Sequence, residues 1–545
     1  MLSRRLSRIG PTPGHKPGCA TIRPRERHSR RPRALEPSCR NGTRQPPPPQ
    51  TALRAGRFDD DAWRQWPYAL WSQGFQQAQR NWDACVRALP LADRHQRDLA
   101  AFMVRQWLEW WAPDNNPCAN PLVLRQTLRE GGANLLRGAQ AAWEDGLRQL
   151  GGLPPAGAEQ FRPGHEVAVT PGKVVLRNPL AELIQYRPAT RQVRPEPIFI
   201  VPAWIMKYYV LDLSPHNSLI RYLVGQGYTV FCVSWKNPKA ADRDLGLDDY
   251  LRLGVREPLQ AIAAIVPGAA VHAAGYCLGG TLLAMAASAM ARDGDSRLAS
   301  LSLLAAQTDF SEPGELGLFI DAFQVALMEA EMAALGYFPA RQMSGAFQLL
   351  RAQQLVWSRM TSEYLLGQRR PMNDLQAWNA DATRMPARMH GQYLRHLYLD
   401  NDLAAGRYAV DGRPVRLQDL RLPTFCVGTE TDHVAPWRSV YKLHSLSPAA
   451  LTFVLTSGGH NAGIVSEPGH PRRRFRSLLR AAGQPALAPD AWLAAATPHD
   501  GSWWPHWRAW LDGLSGKPAR PPSMGAARKG YPALGDAPGT YVMEQ

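Results

Sequence analysis

Acidic residues are almost missing from the start of this chain: two stand against fourteen Arg and Lys through Arg57, a net charge of +12. The other 488 residues carry only +5 of the total +17, so the pI near 9.8 describes a tail rather than a surface. That tail, with Arg30-Arg31-Pro32-Arg33 and Pro46-Pro-Pro-Pro49, is poor in apolar residues and is expected to be disordered. It has no apolar segment of the kind a secretory signal needs, and its prolines oppose the amphipathic helix of a transit peptide. A solvated tail is the expectation, with no specific nucleic-acid role. Long apolar runs are missing too: Leu282 to Met290 is too short and interrupted to span a bilayer, so a soluble protein is expected. The seven cysteines show neither CxxC nor metal-ligand spacing, and Cys232 and Cys426 lie inside apolar runs. An odd count placed in this way argues for reduced thiols in a reducing compartment, with no disulfide framework and no metal site.

What is present is globular: 545 residues, 45% hydrophobic and 20% charged, enough for two to four domains with ample core. The most informative stretch is Gly275-Tyr276-Cys277-Leu278-Gly279. An apolar run around Val271 precedes it and a helix-forming run from Thr281 follows, which is the strand, sharp turn and helix of a nucleophile elbow with cysteine as nucleophile. Flanking glycines relieve the crowding of such a turn. The first helical turn offers unpaired amides that favour a thiolate and an oxyanion.

This architecture orders its catalytic groups as nucleophile, carboxylate, histidine. Leu422 to Gly428 reads as a buried strand with Asp432 just past its C-terminal end, where open α/β sheets place functional groups. Leu451 to Leu455 reads as another strand, and the glycine-rich loop Ser457 to Gly463 after it carries His460. Cys277, His460 and Asp432 thus form an expected triad, each member on its own loop. His433 adjoins Asp432 and is read as an auxiliary behind the triad, since adjacent residues rarely present their side chains to one site. The expected oxyanion donors are the backbone amides of Leu278 and Ile205, the latter in the loop after Ile198 to Val201.

Further apolar runs at Tyr228 to Ser234, Val271 to Ala274 and Leu298 to Leu304 read as buried parallel strands. The expected fold is therefore α/β: an α/β-hydrolase fold at 191–545 with a cap or lid at about 309–420. A helical N-terminal domain is expected at 58–190 and a disordered tail at 1–57. The helical reading runs to about Ile184, and Leu99, Phe102, Met103, Trp107, Trp110 and Trp111 form an apolar stripe that calls for a packing partner. Lid aromatics, among them Trp357, Trp378, Tyr393 and Tyr398, line an acyl channel or serve as core.

Three blocks then resemble one family. Gly275-Tyr-Cys-Leu-Gly-Gly280, Thr431-Asp-His-Val-Ala-Pro-Trp437 and Ser457-Gly-Gly-His-Asn-Ala-Gly463 are similar to the active-site blocks of polyhydroxyalkanoate synthases, most nearly the single-chain class I type. Pro202 to Asp212, Val233 to Pro238, Arg177 to Tyr186, Tyr393-Leu-Arg395 and Gly501-Ser-Trp-Trp504 agree in order as well. The pattern departs at Leu278, where valine is frequent, and at Ala203 and Met206, where proline and asparagine are expected. These differences bear on acyl-chain preference more than on chemistry.

The resemblance implies a cytoplasmic acyltransferase at polyester granules, a homodimer, that polymerises (R)-3-hydroxyacyl-CoA with release of CoA through an acyl-Cys277 intermediate. It needs no separate cofactor, because CoA arrives with the substrate. In that family the N-terminal helical region serves dimerisation, granule attachment or partner contact. A thioesterase or polyester depolymerase on the same fold, or a non-catalytic granule protein, remains open at this point. The residues before Phe58 should be dispensable for catalysis. Polymer yield measured side by side for the full chain and one starting near Phe58 should agree, and a folded but inactive short chain would show otherwise.

Overall fold

The computed structural model describes residues 57–90, 93–350 and 352–545, which all belong to one compact unit, Gly56–Gln545. The tail expected at 1–57 lies outside the described residues except for Arg57, which is ordered by its bonds to Glu109 and Asp114 and so corrects the expected boundary. An eleven-stranded sheet organises the unit. Its strands in chain order are β1 (Gly172–Arg177), β2 (Ala181–Tyr186), β3 (Ile198–Val201), β4 (Val230–Trp235), β5 (Val271–Tyr276), β6 (Leu298–Leu304), β7 (Thr424–Thr429), β8 (Leu451–Thr456), β9 (Arg474–Arg480), β10 (Thr497–Asp500) and β11 (Gly535–Asp536). Across the sheet they run β10-β9-β8-β7-β6-β5-β3-β4-β2-β1-β11.

Strands β4, β3, β5, β6, β7 and β8 pair in parallel. They are the six apolar runs read as buried strands. Every position of these strands is buried except Ala299 in β6, which is half-buried. Layers covering both faces of a parallel sheet produce that pattern, which is why these strands read as continuous apolar runs rather than alternations.

The antiparallel margins were less apparent. The helices at the N-terminal side end at Leu150, and the expected helical reading to about Ile184 is corrected by the β1–β2 hairpin. Asn178 drives its turn by accepting the amides of Leu180 and Ala181 at 3.0 and 2.8 Å. Arg-rich β9 pairs with β8 on the other side, and β10 pairs with β9.

Before the sheet come α1 (Tyr68–Ala88), α2 (Arg94–Glu109), α3 (Pro121–Arg129) and α4 (Ala133–Leu150). Helix α5 (Leu278–Asp293) follows β5 and is buried at every position from Leu278 to Met290. That burial all round explains the longest apolar run of the sequence. Among the described residues no helix is long and apolar enough to cross a membrane.

The segment between β6 and β7 is mainly helical, with helices such as Ala322–Leu335, Ala340–Leu350 and Ala387–Tyr393. The N-terminal helices rest on it. Phe102 meets Phe319 edge to face at 5.7 Å, and Trp110 meets Trp357 at 5.0 Å. Asp145 accepts from Tyr364 Oη at 2.7 Å and pairs with Arg359 at 2.8 Å. At Gly138 a Cβ would lie 1.8 Å from the Tyr364 carbonyl oxygen, so only glycine permits this contact. The aromatic stripe of α2 is therefore split: Phe102 is buried, whereas Trp107, Trp110 and Trp111 are more than half exposed.

Arg57 fastens the start of this layer. Its guanidinium bonds Glu109 at 2.6 and 2.8 Å and Asp114 at 2.9 Å, with all three side chains largely buried. Burial works against its charge, yet the bonds to Glu109 and Asp114 hold it above its ordinary value. Arg57→Met would leave two buried carboxylates without their counter-charge, so it should lower unfolding stability by roughly 3 kcal/mol. Equilibrium denaturation of the two proteins measures this, and an unchanged midpoint contradicts it.

Candidate active site

Between β5 and α5 the chain turns at Cys277, whose φ of +52° is costly for any residue with a side chain. Hydrogen bonds on both sides hold it there. Its N–H donates to Leu304 O at 2.9 Å, and its carbonyl accepts from Gly280 and Thr281 at 2.9 and 3.2 Å. The glycines answer to space. A Cβ at Gly275 would lie 2.4 Å from Gly280 Cα, and one at Gly279 would lie 2.1 Å from Val201 O and 2.5 Å from Pro202 O. Helix α5 therefore starts in direct contact with the loop that leaves β3.

Asp432 and His460 follow β7 and β8, two adjacent parallel strands. His460 Nδ1 lies 2.7 Å from Asp432 Oδ2, with the carboxylate fully buried. Every acceptor position of that carboxylate is used: Oδ2 also accepts from Thr429 Oγ1 at 3.0 Å, and Oδ1 accepts the amides of Val434 and Ala435 at 2.9 Å each. Burial alone would raise Asp432, but the His460 charge, its hydrogen bond and the two amides hold it below the ordinary carboxylate value. For His460 burial disfavours the charge, yet Asp432 and Cys277, through charge and hydrogen bonding, hold it well above its ordinary value. The three side chains thus form one electrostatic unit, which is what abstraction of a thiol proton requires.

Several supports were not legible as site residues. Tyr276 Oη donates to Asn461 Oδ1 at 2.6 Å, and its ring lies 5.6 Å from that of His460. The Gly501-Ser-Trp-Trp504 block reaches the same loop from the far end of the chain. Indole N–H groups of Trp503 and Trp504 donate to Gly463 O and Ile464 O at 3.0 and 2.9 Å. His433 meets the lid through its main chain, its carbonyl accepting the Glu315 amide at 3.1 Å.

Leu278, as the first residue of α5, has no intrahelical acceptor for its amide. Ile205 and Leu278 both line a cavity of about 90 Å³ that opens onto Cys277, with lid residues as its far wall. Thr383 ties the Ile205 loop to the lid through its amide, which donates to Ile205 O at 3.1 Å. Among the described residues one cluster has metal-ligand geometry, His396, Asp400 and Asp402. It is on the lid surface, where Arg407 already pairs with Asp402 at 2.9 Å.

The comparisons agree with this architecture. Residues 196–467 match the model of the alpha/beta hydrolase fold, and residues 54–223 match that of the poly-beta-hydroxybutyrate polymerase (PhaC) N-terminus. A poly(3-hydroxyalkanoate) polymerase of Methylorubrum extorquens is 42% identical, over 83% of this chain and 74% of its own length. The chain belongs to the poly(3-hydroxyalkanoate) polymerase family. The PhaC subunit of that polymerase from Rhizobium meliloti is 37% identical over 89% of this chain and 79% of its own. Its Cupriavidus necator counterpart is 36% identical over 90% and 83%. By family the protein is an acyltransferase on an α/β-hydrolase scaffold. A polymerase of this build depends on the contact of α5 with the β3 loop. Gly279→Ala puts a methyl group into backbone oxygens that cannot rotate away, so it should cost about 1–3 kcal/mol of stability. An unfolding midpoint equal to that of the unaltered protein would show that the loop yields freely.

Proposed function

We propose that this polymerase joins (R)-3-hydroxyacyl-CoA units into a polyester through an acyl-Cys277 intermediate. The observation that carries this reading is a cysteine at the head of α5, linked to the buried His460–Asp432 pair and facing an apolar cavity. His460 takes the thiol proton, and the thiolate attacks the thioester carbon. The oxyanion is met by the amides of Leu278 and Ile205. As the carbonyl re-forms, the carbon–sulfur bond to CoA breaks and the CoA thiolate leaves with the proton from His460.

The acyl group now sits in a second thioester, of similar energy to the first. His460, oriented by Asp432, next takes the proton of a 3-hydroxyl on another unit or on the chain end, and that oxygen attacks the acyl carbon. An ester forms, the Cys277–acyl bond breaks, and the proton passes to the sulfur. Hydrolysis competes at this stage, and the lid over Cys277 limits water. His433 assists from the acid loop. Exposed Trp107, Trp110 and Trp111 support attachment of the N-terminal layer to a polyester granule in the cytoplasm, or pairing with a second copy.

Purified protein given (R)-3-hydroxybutyryl-CoA should yield free CoA and insoluble polymer, whereas soluble 3-hydroxy acid as the sole product would mark a hydrolase. Cys277→Ala should abolish CoA release and keep its circular dichroism, since one sulfur contributes little packing. His460→Gln should lose at least about a hundredfold in rate and His433→Gln less. Near-normal turnover by Cys277→Ala refutes the mechanism.

A further inference from the structure

The cavity beside Cys277 has a wall that is apolar almost throughout, so each polar side chain on it calls for a partner. Thr281 is satisfied, its hydroxyl donating to Gln307 O at 2.7 Å. Gln307 is satisfied too, its amide donating to Ser439 Oγ at 3.0 Å and to Glu312 O at 3.4 Å. Tyr393, Tyr398 and His390 differ. Tyr393 Oη donates to Tyr398 Oη at 3.2 Å, which leaves the Tyr398 hydroxyl proton without an acceptor among the described residues. His390 is 2% exposed, and its Nδ1 has no hydrogen-bond partner among the described residues.

These three groups are contiguous. The His390 and Tyr393 rings are 6.1 Å apart and the two tyrosine rings 5.4 Å. Phe338 flanks one end, 4.5 Å from His390, and Phe310 the other, 4.9 Å from Tyr398. A buried polar atom without a partner costs about 1–3 kcal/mol. An apolar wall with a short polar band suits a ligand that is hydrocarbon except for an oxygen part-way along.

We propose that Tyr398, with Tyr393 and His390, forms a specificity-determining subsite that hydrogen-bonds the 3-oxygen of the acyl group held at Cys277. The assignment rests on the polymerase reading and adds to it the means by which a 3-hydroxyacyl group is told from a plain acyl group. Burial, with the Cys277 charge adding to it, pushes the Tyr398 phenol up to about 12 and Tyr393 well above its ordinary value. Both hydroxyls therefore remain donors at neutral pH, and both lie within electrostatic reach of the nucleophile. A site built to bond a substrate hydroxyl discriminates strongly against the analogue that lacks it, because its own polar groups are then left unpaired.

The test pairs a side-chain oxygen with a substrate oxygen. Butyryl-CoA lacks the 3-hydroxyl, so it can acylate Cys277 once but cannot be extended. Release of the first CoA is followed by rapid quench and chromatography for (R)-3-hydroxybutyryl-CoA and butyryl-CoA, with the unaltered protein, Tyr398→Phe and Tyr393→Phe. Tyr398→Phe should slow the hydroxylated substrate about tenfold, on the scale of one hydrogen bond, and change the butyryl rate by less than about twofold. Tyr393→Phe, which leaves Tyr398 unanchored, should show the same selectivity with a smaller loss, and it serves if Tyr398→Phe does not fold. Equal losses on both substrates, or no loss on either, overturn the subsite and leave the polymerase reading intact. An unaltered protein that releases CoA from neither substrate overturns the polymerase reading itself, and the subsite with it.

Discussion

Everything at the candidate site depends on how closely the first turn of α5 approaches the sheet. Cys277 can hold a positive φ only because β6 accepts its amide and α5 donates to its carbonyl. Those bonds form only if the helix begins within van der Waals contact of β5 and of the loop leaving β3. Gly275, Gly279 and Gly280 are where that contact occurs, since a Cβ at any of them would meet neighbouring atoms at 2.1 to 2.5 Å. The same approach brings the Leu278 amide and the Ile205 loop to one wall of the cavity. The strained Cys277 and the backbone of Leu278 and Ile205 around the cavity are thus set by a single packing constraint.

That constraint explains why so much of the centre was legible in the sequence. A turn that excludes side chains leaves glycines at fixed spacing, and parallel strands buried on both faces leave unbroken apolar runs. Asp432 and His460 could be read because each follows such a run directly. The supports of the site were not legible, for an equally physical reason. Tyr276 and Asn461 are 185 residues apart, and the Trp503 and Trp504 bonds to the His460 loop span 40 residues. Such pairings depend on the sheet order, which no local period encodes. The Gly501-Ser-Trp-Trp504 block was visible only as a family match, and its use as a brace came from the structure.

The margins were hidden in a different way. Strands β1 and β9 mix charged with apolar residues, as half-covered antiparallel strands do, and a search for apolar runs passes over them. The α2 stripe promised a single packing partner, but only part of it has one. Phe102 meets the lid while Trp107 and Trp111 stay more than half exposed. Helices and lid are nonetheless joined by specific bonds, from Asp145 to Tyr364 and from Asn134 to Leu365 O at 2.8 Å. Through Phe102 against Phe319, which lines the cavity, the N-terminal layer bears on the cavity wall.

The acid loop shows how the fold sustains charge in a buried place. Asp432 keeps its charge through four hydrogen bonds, two of them from backbone amides that cannot be withdrawn. Its lowered pKa gives a stability contribution that is present above the ordinary carboxylate value of 3.8 and lost as pH falls through the depressed one. The raised His460 acts with the opposite sign: its contribution is full below the ordinary value of 6.5 and lost as pH rises through the elevated one. The two shifts describe one interaction from its two ends, so it is at full strength between those ordinary values and persists above them until His460 releases its proton. The pair therefore holds the Asp432 and His460 loops together across that window, and the charge that burial disfavours on each residue is sustained by the other.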